Sequence, residues 1–298
     1  MSSAESADRQ YAFVIGTGRC GSTLVHDVLA RHHEVGFLSN VQDSLGVLDP
    51  KGRSNGLLYR GSPARFMRSR RQLGTPSEAY GLLDRRTSTI LSRSFRDLTA
   101  EDATPWLAGR IERFFDSCAD AQGKSSFVHK FTGWPRARLL QQVFPQARFI
   151  HIVRDGRAFA NSWLQVSWAP YGGPADWQWG PLPPEYEEEW ERSGRSFVVL
   201  AGLGWKVLID AFQDAQAKIA PDAWLEMRFE DVVADPRKSF STMLSFLGLA
   251  WDRRFERWFS RCSFRGDRNE AFRSELRPAD CALLDVVLRD HLERYGYS

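Results

Sequence analysis

The sequence predicts an α/β protein in three layers, a central, mostly parallel sheet of about five strands with helices on both faces. Short apolar runs alternate with stretches of helical spacing along its 298 residues, and strands separated by helices pair in parallel through right-handed crossovers. A glycine-rich segment, GTGRCG at 16–21, stands between the first apolar run and an amphipathic stretch, the order of a strand, an anion-sized turn and a helix. A composition with 43% apolar residues supports a sizeable core and excludes disordered and fibrous classes.

The first ten residues, MSSAESADRQ, read as a loose tail, leaving 11–298 as one domain with insertions at about 39–75 and 168–185. YAFVI at 11–15 predicts the first strand, and STLVHDVLARH after the glycine turn brings Leu24, Val28 and Leu29 to one helical face. VGFL at 35–38 predicts a second strand, followed by a Gly-, Ser-, Arg- and Pro-rich loop of the long irregular kind that usually serves function. Helical spacing runs over 78–121, and SSFVHK at 125–130 predicts a third strand ending on Lys130. Pro135 opens a short helix to about Phe144. Residues 146–163 run from a fourth strand through a tight turn into a helix with Asp155 in its first turn, where the helix dipole favours an anion. Beyond a Pro-, Gly- and Trp-rich insertion, a long helix reaches Ala217, AWLEMRF at 223–229 predicts the fifth strand, and Pro236 opens the main helix that follows.

Forty Lys and Arg against thirty-seven Asp and Glu leave a net charge of +3, so nothing demands a nucleic-acid partner and any basic site must be local. Four cysteines without CxxC spacing are too few for a disulfide scaffold and point to a reducing cytoplasm. The polar N-terminus carries no apolar signal region, and no apolar run is long enough for a transmembrane segment. The oligomeric state is left open.

The chemistry is concentrated at two places. Gly16-Thr17-Gly18-Arg19-Cys20-Gly21-Ser22-Thr23 joins a strand to a helix. Small residues there let backbone N–H groups converge on an anion, and the helix N-terminus adds about half a positive charge. Gly18, Cys20, Gly21, Ser22 and Thr23 would bind through this cradle, with Arg19 at its mouth. The spacing is that of a P-loop except that Ser22 stands where the lysine belongs. A glycine turn that only tightens strand–helix packing has the same local sequence. In IHIVRDGRAFANS at 150–162, Arg154 at the strand's carboxyl end and Ser162 on the next helix can reach one phosphate. The alternative is a solvated Arg154 paired with Asp155 or Asp231 beside a capping or core Ser162. Ligands of α/β sheets collect at the carboxyl ends of strands, which favours one site built from both places.

GTGRCGSTL and RFIHIVRDGRAFANSW together resemble the 5′-phosphosulfate loop and the 3′-phosphate motif of sulfotransferases that use 3′-phosphoadenosine-5′-phosphosulfate (PAPS), particularly the bacterial and tyrosylprotein types with Arg in the loop. LARHHEV is similar to their helix-His-Pro-Glu-Val junction, with His33 replacing Pro. FVHK puts Lys130 at their strand-end lysine, and RFEDVVADPRKSFSTMLSFLGL resembles their C-terminal strand–helix segment. The resemblance implies a P-loop-like sulfotransferase fold. It also implies a cytoplasmic, metal-independent enzyme that transfers a sulfuryl group from PAPS to a hydroxyl of a small-molecule, carbohydrate or lipid acceptor, leaving adenosine 3′,5′-bisphosphate. In that scheme Arg19 and the amides from Gly18 to Thr23 hold the 5′-phosphosulfate, Lys130 neutralises the leaving oxygen, and Arg154 with Ser162 holds the 3′-phosphate. Catalysis is then positioning and electrostatic stabilisation, by analogy with phosphoryl transfer.

The general base departs from the pattern of the family. The Glu of the tyrosylprotein type aligns with Asn40 and the His of the cytosolic type with Thr132. Asp43, in the same loop as Asn40, is the candidate base, with loop capping as its alternative role. Arg265 and Arg268 in CSFRGDRNEAFR at 262–273 are candidate additional ligands of the 3′-phosphate. Phe229 stands where some relatives place a Tyr on the nucleotide. Trp163, Trp168, Trp177 and Trp179 offer a stacking wall for an acceptor, whereas Trp190, Trp205 and His129 read as core. The Arg-rich stretch 53–71 either recognises an anionic acceptor or coats a lid. Two rivals stand beside the sulfotransferase: a P-loop kinase of a nucleoside or sugar, which needs the missing lysine, and a non-catalytic nucleotide-binding protein.

Overall fold

The structure, a computed structural model, describes residues 9–44, 49–61, 74–166, 173–264, 266 and 268–297. Trp168, Arg265 and part of the Arg-rich stretch lie outside them. In chain order the elements are β1 (Gln10–Gly16), α1 (Ser22–Leu29), β2 (Val35–Gly36), α2 (Asn40–Ser44), α3 (Asn55–Gly61), α4 (Tyr80–Arg86), α5 (Ile90–Arg93) and α6 (Pro105–Gln122). There follow β3 (Ser126–Thr132), α7 (Ala137–Val143), β4 (Arg148–Val153), α8 (Gly156–Leu164), α9 (Pro184–Arg192), α10 (Phe197–Gln216) and β5 (Trp224–Arg228). The chain closes with α11 (Phe229–Ala234), α12 (Pro236–Phe246), α13 (Arg253–Phe259), α14 (Phe272–Glu275), α15 (Pro278–Val287) and α16 (Arg289–Arg294).

The strands form one sheet in the order β2-β3-β1-β4-β5, parallel throughout, as the alternation of runs predicts. β1 is covered on both faces, which is why it reads as a continuous apolar run. Alternate side chains sort by size between the two faces. Tyr11, Phe13 and Ile15 meet Phe115, Phe127, Phe131, Phe144 and Phe149 in an aromatic layer that includes residues of α6 and α7. Ala12, Val14, Val128, Ile150 and Ile152 meet Val25, Val28 and Leu29 of α1 with Phe240, Met243 and Leu244 of α12. Lys130 shares the parity of Val128, so period-two geometry points it to the α1 face.

Three expectations change. The helical spacing over 78–121 is broken into α4, α5 and α6, because Thr104 caps a fresh helix with Pro105 in its first turn. Asp155 precedes α8 as its N-cap, accepting from Arg157 N–H, and so lies just outside the first turn. Of the proposed wall, the described Trp163, Trp177 and Trp179 do not stand open: Trp163 and Trp179 have ring centroids 4.4 Å apart and, with Trp177 and Phe159, form a packed cluster. Trp205 is fully buried, and a Cβ on Gly156 would lie 2.6 Å from its ring. That close approach seats the start of α8 on α10 immediately after Arg154.

His129 belongs to the aromatic layer, with ring centroids 4.6 Å from Phe131 and 5.4 Å from Phe115. It is core as expected, yet neither ring nitrogen has a hydrogen-bond partner among the described residues. Burial, helped by His26, Lys130 and Arg136, holds its pKa well below the ordinary imidazole value. The unfolded chain therefore takes up a proton that the fold refuses, so the stability His129 lends is complete above about pH 6.5 and is lost as pH falls. His129→Leu removes that linkage. Relative to the wild type, the variant should gain about 1.4 kcal/mol per pH unit below about pH 6, measured as the difference in urea unfolding free energy between neutral and mildly acidic buffer. A difference independent of pH would show that His129 does not titrate on unfolding.

Candidate active site

β1 delivers the chain to the carboxyl edge of the sheet, and the turn at 16–21 feeds it into α1. The backbone of that turn is left-handed at Gly18 (φ 80°), Arg19 (φ 52°) and Gly21 (φ 87°). Glycine is required twice over at Gly21, since a Cβ there would lie 2.1 Å from the Phe229 ring. Phe229 has no hydroxyl to offer a nucleotide and instead packs against the turn. Cys20 buries its side chain in the core beneath the loop, leaving its backbone to the cradle. Leu24 N–H donates to Gly21 O at 3.0 Å to close the first helical turn, so the earlier N–H groups of the helix start are those that an anion satisfies.

Three cations converge on this edge, each from a different segment. Lys130 is 5% exposed, and its Nζ donates to Thr23 Oγ1 at 2.7 Å in the first turn of α1. Arg19 reaches across the mouth of the cradle, its Nε donating to Ser162 Oγ at 2.8 Å. Arg154 is buried and clamps two loops, donating at 2.9 Å to the carbonyl of Arg19 and at 2.9 Å to that of Arg268. Its Nε is buried and meets no acceptor among the described residues. Burial lowers the Arg154 pKa from its ordinary value, while Glu230, Cys20 and Asp155 act the other way. The two sequence motifs thus form one network, and the expected pairing of Arg154 with Asp155 or Asp231 is absent among the described residues. Asp155 binds Arg157 at 2.7 Å instead. The Arg268 side chain is held by Glu275 at 2.8 Å, and that carboxylate also accepts from Asn161 and Gln165.

The carboxylates are arranged differently from the expectation. Asp43 accepts from Leu82 N–H at 2.6 Å, so it caps α4; burial raises its pKa, and the Leu82 amide and Arg85 offset the shift. Sequence reasoning passed over Glu78, which lies beside Lys130: Glu78 Oε1 is 3.4 Å from Lys130 Nζ and accepts from Thr132 Oγ1 at 2.8 Å. Backbone pairing puts it there. Asn40 N–H donates to Thr75 O and Ser77 N–H to Leu38 O, both at 2.9 Å, so the chain returning at 75–77 runs antiparallel along 38–40. Tyr80 then fastens the end of β3, its hydroxyl donating to Thr132 O and accepting from Thr132 N–H, each at 3.2 Å. Away from this edge, His32, His33 and Asp252 bring potential metal-ligand atoms within 4.8 Å of one another. Both His32 nitrogens already meet backbone groups of Glu34 and Ala250, and Asp252 caps α13, so these residues read as structural.

The cradle fits a doubly anionic ligand: glycines leave it open, the helix start faces it, and Lys130, Arg19 and the unmatched Nε of Arg154 border it. The chain is 26% identical over 172 residues to the omega-hydroxy-beta-dihydromenaquinone-9 sulfotransferase Stf3 of Mycobacterium bovis, covering 55% of this chain and 39% of that protein; the Mycobacterium tuberculosis protein of the same name matches equally. The chain therefore matches about two fifths of the length of these relatives. Its fold is similar to that of sulfotransferase STF9 from Mycobacterium avium (TM-score 0.58, 14% identity, 98% of this chain and 79% of that one). It is also similar to the sulfotransferase domain from the curacin biosynthetic pathway (TM-score 0.51, 13% identity, 94% and 98%). A family model described as "Sulfotransferase family" matches residues 12–253, the stretch that carries the cradle, Lys130, Arg154 and Ser162, and the chain belongs to that family.

Proposed function

We propose that this chain is a cytoplasmic, PAPS-dependent O-sulfotransferase, with residues 11–298 acting as one catalytic domain. The observation that carries the reading is the network joining Lys130 to Thr23, Arg19 to Ser162, and Arg154 to the backbone of the cradle. The amides from Gly18 to Thr23, with Cys20, Gly21 and Ser22 between, hold the 5′-phosphosulfate, and Arg19 neutralises its equatorial oxygens. Lys130 meets the charge that builds on the bridging oxygen as the S–O bond breaks. Arg154 and Ser162 take the 3′-phosphate, with Arg268 close enough through its own backbone to join them; Arg265 is proposed for the same role on sequence alone. Ser22 in place of the P-loop lysine stands against the kinase reading. The relatives named for a hydroxylated menaquinone support a lipid-like acceptor within the wider class of hydroxyl acceptors. Titration with adenosine 3′,5′-bisphosphate against ATP, with and without Mg²⁺, separates a kinase from the other readings. Transfer of labelled sulfate from PAPS to a panel of hydroxylated acceptors then separates an enzyme from a non-catalytic nucleotide binder.

Arg154→Ala should weaken adenosine 3′,5′-bisphosphate by roughly 2–4 kcal/mol and leave 5′-AMP almost unchanged, as expected for a charge-assisted contact. Calorimetry on both nucleotides checks this, and equal losses would make Arg154 a structural clamp only. Lys130→Ala should lower kcat by about 100-fold or more with little change in nucleotide affinity, because its main contact strengthens as the leaving oxygen gains charge. A variant that keeps its turnover and loses nucleotide would return Lys130 to ground-state binding.

A further inference from the structure

We infer that Glu78 is the general base of the transfer, the residue that takes the proton of the acceptor hydroxyl. The inference rests on the sulfotransferase reading above. Three carboxylates lie close enough in the chain or in space to compete for the role. Asp43 is occupied as the cap of α4, with Leu82 N–H on its Oδ1 and Arg85 beside it. Asp27, one turn beyond Thr23 on α1, is half-buried, its Oδ1 is shielded from water and meets no partner among the described residues, and burial pushes its pKa up to about 7 against the influence of Lys130 and Arg31. Glu78 differs from both: its side chain is 30% exposed, and one oxygen is fixed by Lys130 and Thr132. Its other oxygen, Oε2, has no hydrogen-bond partner among the described residues.

The geometry orders the reacting groups. Thr23 belongs to the cradle, Lys130 Nζ sits 2.7 Å from its hydroxyl, and Glu78 follows 3.4 Å beyond on the solvent side. An acceptor hydroxyl that enters over Glu78 therefore meets the carboxylate on one side and the sulfuryl group held by the cradle on the other. As the acceptor oxygen forms its bond to sulfur, its proton passes to Glu78. The S–O bond to the 5′-phosphate breaks in the same displacement, and the electron pair leaves on the phosphate oxygen facing Lys130. The products are the sulfate ester, adenosine 3′,5′-bisphosphate and protonated Glu78, which returns its proton to water. The ion pair with Lys130 keeps the carboxylate in place before the donor binds. Thr132 thus supports a base supplied by another segment.

The test uses the full chain with sulfur-labelled PAPS and three acceptors: n-dodecanol, p-nitrophenol, and water, the last read as donor hydrolysis. Glu78→Gln should lower kcat on dodecanol and on water by about 100-fold or more and remove the acidic limb of kcat/KM. The loss should be much smaller on p-nitrophenol, which surrenders its proton readily, and the Kd of adenosine 3′,5′-bisphosphate should change less than about threefold. Glu78→Asp should restore part of the rate and the limb. If Glu78→Gln loses rate equally on all acceptors and keeps the limb, Glu78 only positions Lys130 and the assignment is overturned. It is overturned too if the limb disappears in Asp27→Asn or Asp43→Asn instead. A wild type that neither binds adenosine 3′,5′-bisphosphate nor transfers sulfate to any of the three overturns the sulfotransferase reading itself.

Discussion

Like charge gathered at one edge of a sheet is the constraint around which the rest of this molecule is arranged. β1, β3 and β4 run parallel and end side by side, so Arg19, Lys130 and Arg154 are brought together whether or not a ligand is present. Two of them are almost wholly removed from water. Such a cluster raises the energy of the fold unless each charge finds compensation nearby. The chain supplies it from five groups: the Glu78 carboxylate and Thr23 hydroxyl for Lys130, the Ser162 hydroxyl for Arg19, and the carbonyls of Arg19 and Arg268 for Arg154. These partners hold the cations in place while leaving the Arg154 Nε without an acceptor among the described residues. Donors already held in this way need little further ordering to meet an anion.

The scaffold was largely legible in the residues because its signals are local. An apolar run followed by glycines and a helical face can form little else, and the five strands fall where their runs lie, with β2 reduced to Val35–Gly36. The cradle and the Arg154–Ser162 segment were legible for the same reason, since each is a short contiguous motif whose chemistry depends on spacing. Lys130 was legible at one remove, through its position at the carboxyl end of a strand and the resemblance of FVHK to the family's strand-end lysine.

Glu78 was not legible, and the reason is physical. Its place is set by antiparallel pairing of 75–77 with 38–40, a contact between segments on either side of a long irregular stretch, and pairing of that kind leaves no periodicity behind. Asp43 carried the stronger local signal, a carboxylate near Asn40 in a loop, yet the same feature suits a helix cap, and α4 claimed it. The insertion tryptophans misled for a related reason. A run of large aromatics signals a need for cover without saying whether a ligand or the protein provides it, and here α8 and α10 provide part of it.

The central position of β1 sets the order in which the protein can be made. The strand and its glycine turn leave the ribosome before β3 and β4, yet among the described residues those two are the strands β1 pairs with: Gln10 with Ser126 and Ala12 with Arg148. Until β3 and β4 have been synthesised, this apolar strand lacks the neighbours it hydrogen-bonds with in the fold, and closing so long a loop is slow. The nascent chain therefore carries an unpaired apolar strand, open to misassociation, between the emergence of its glycine turn and the arrival of β4. The three cations of the edge are therefore gathered only after β4 is made, well after the glycine turn that carries the first of them.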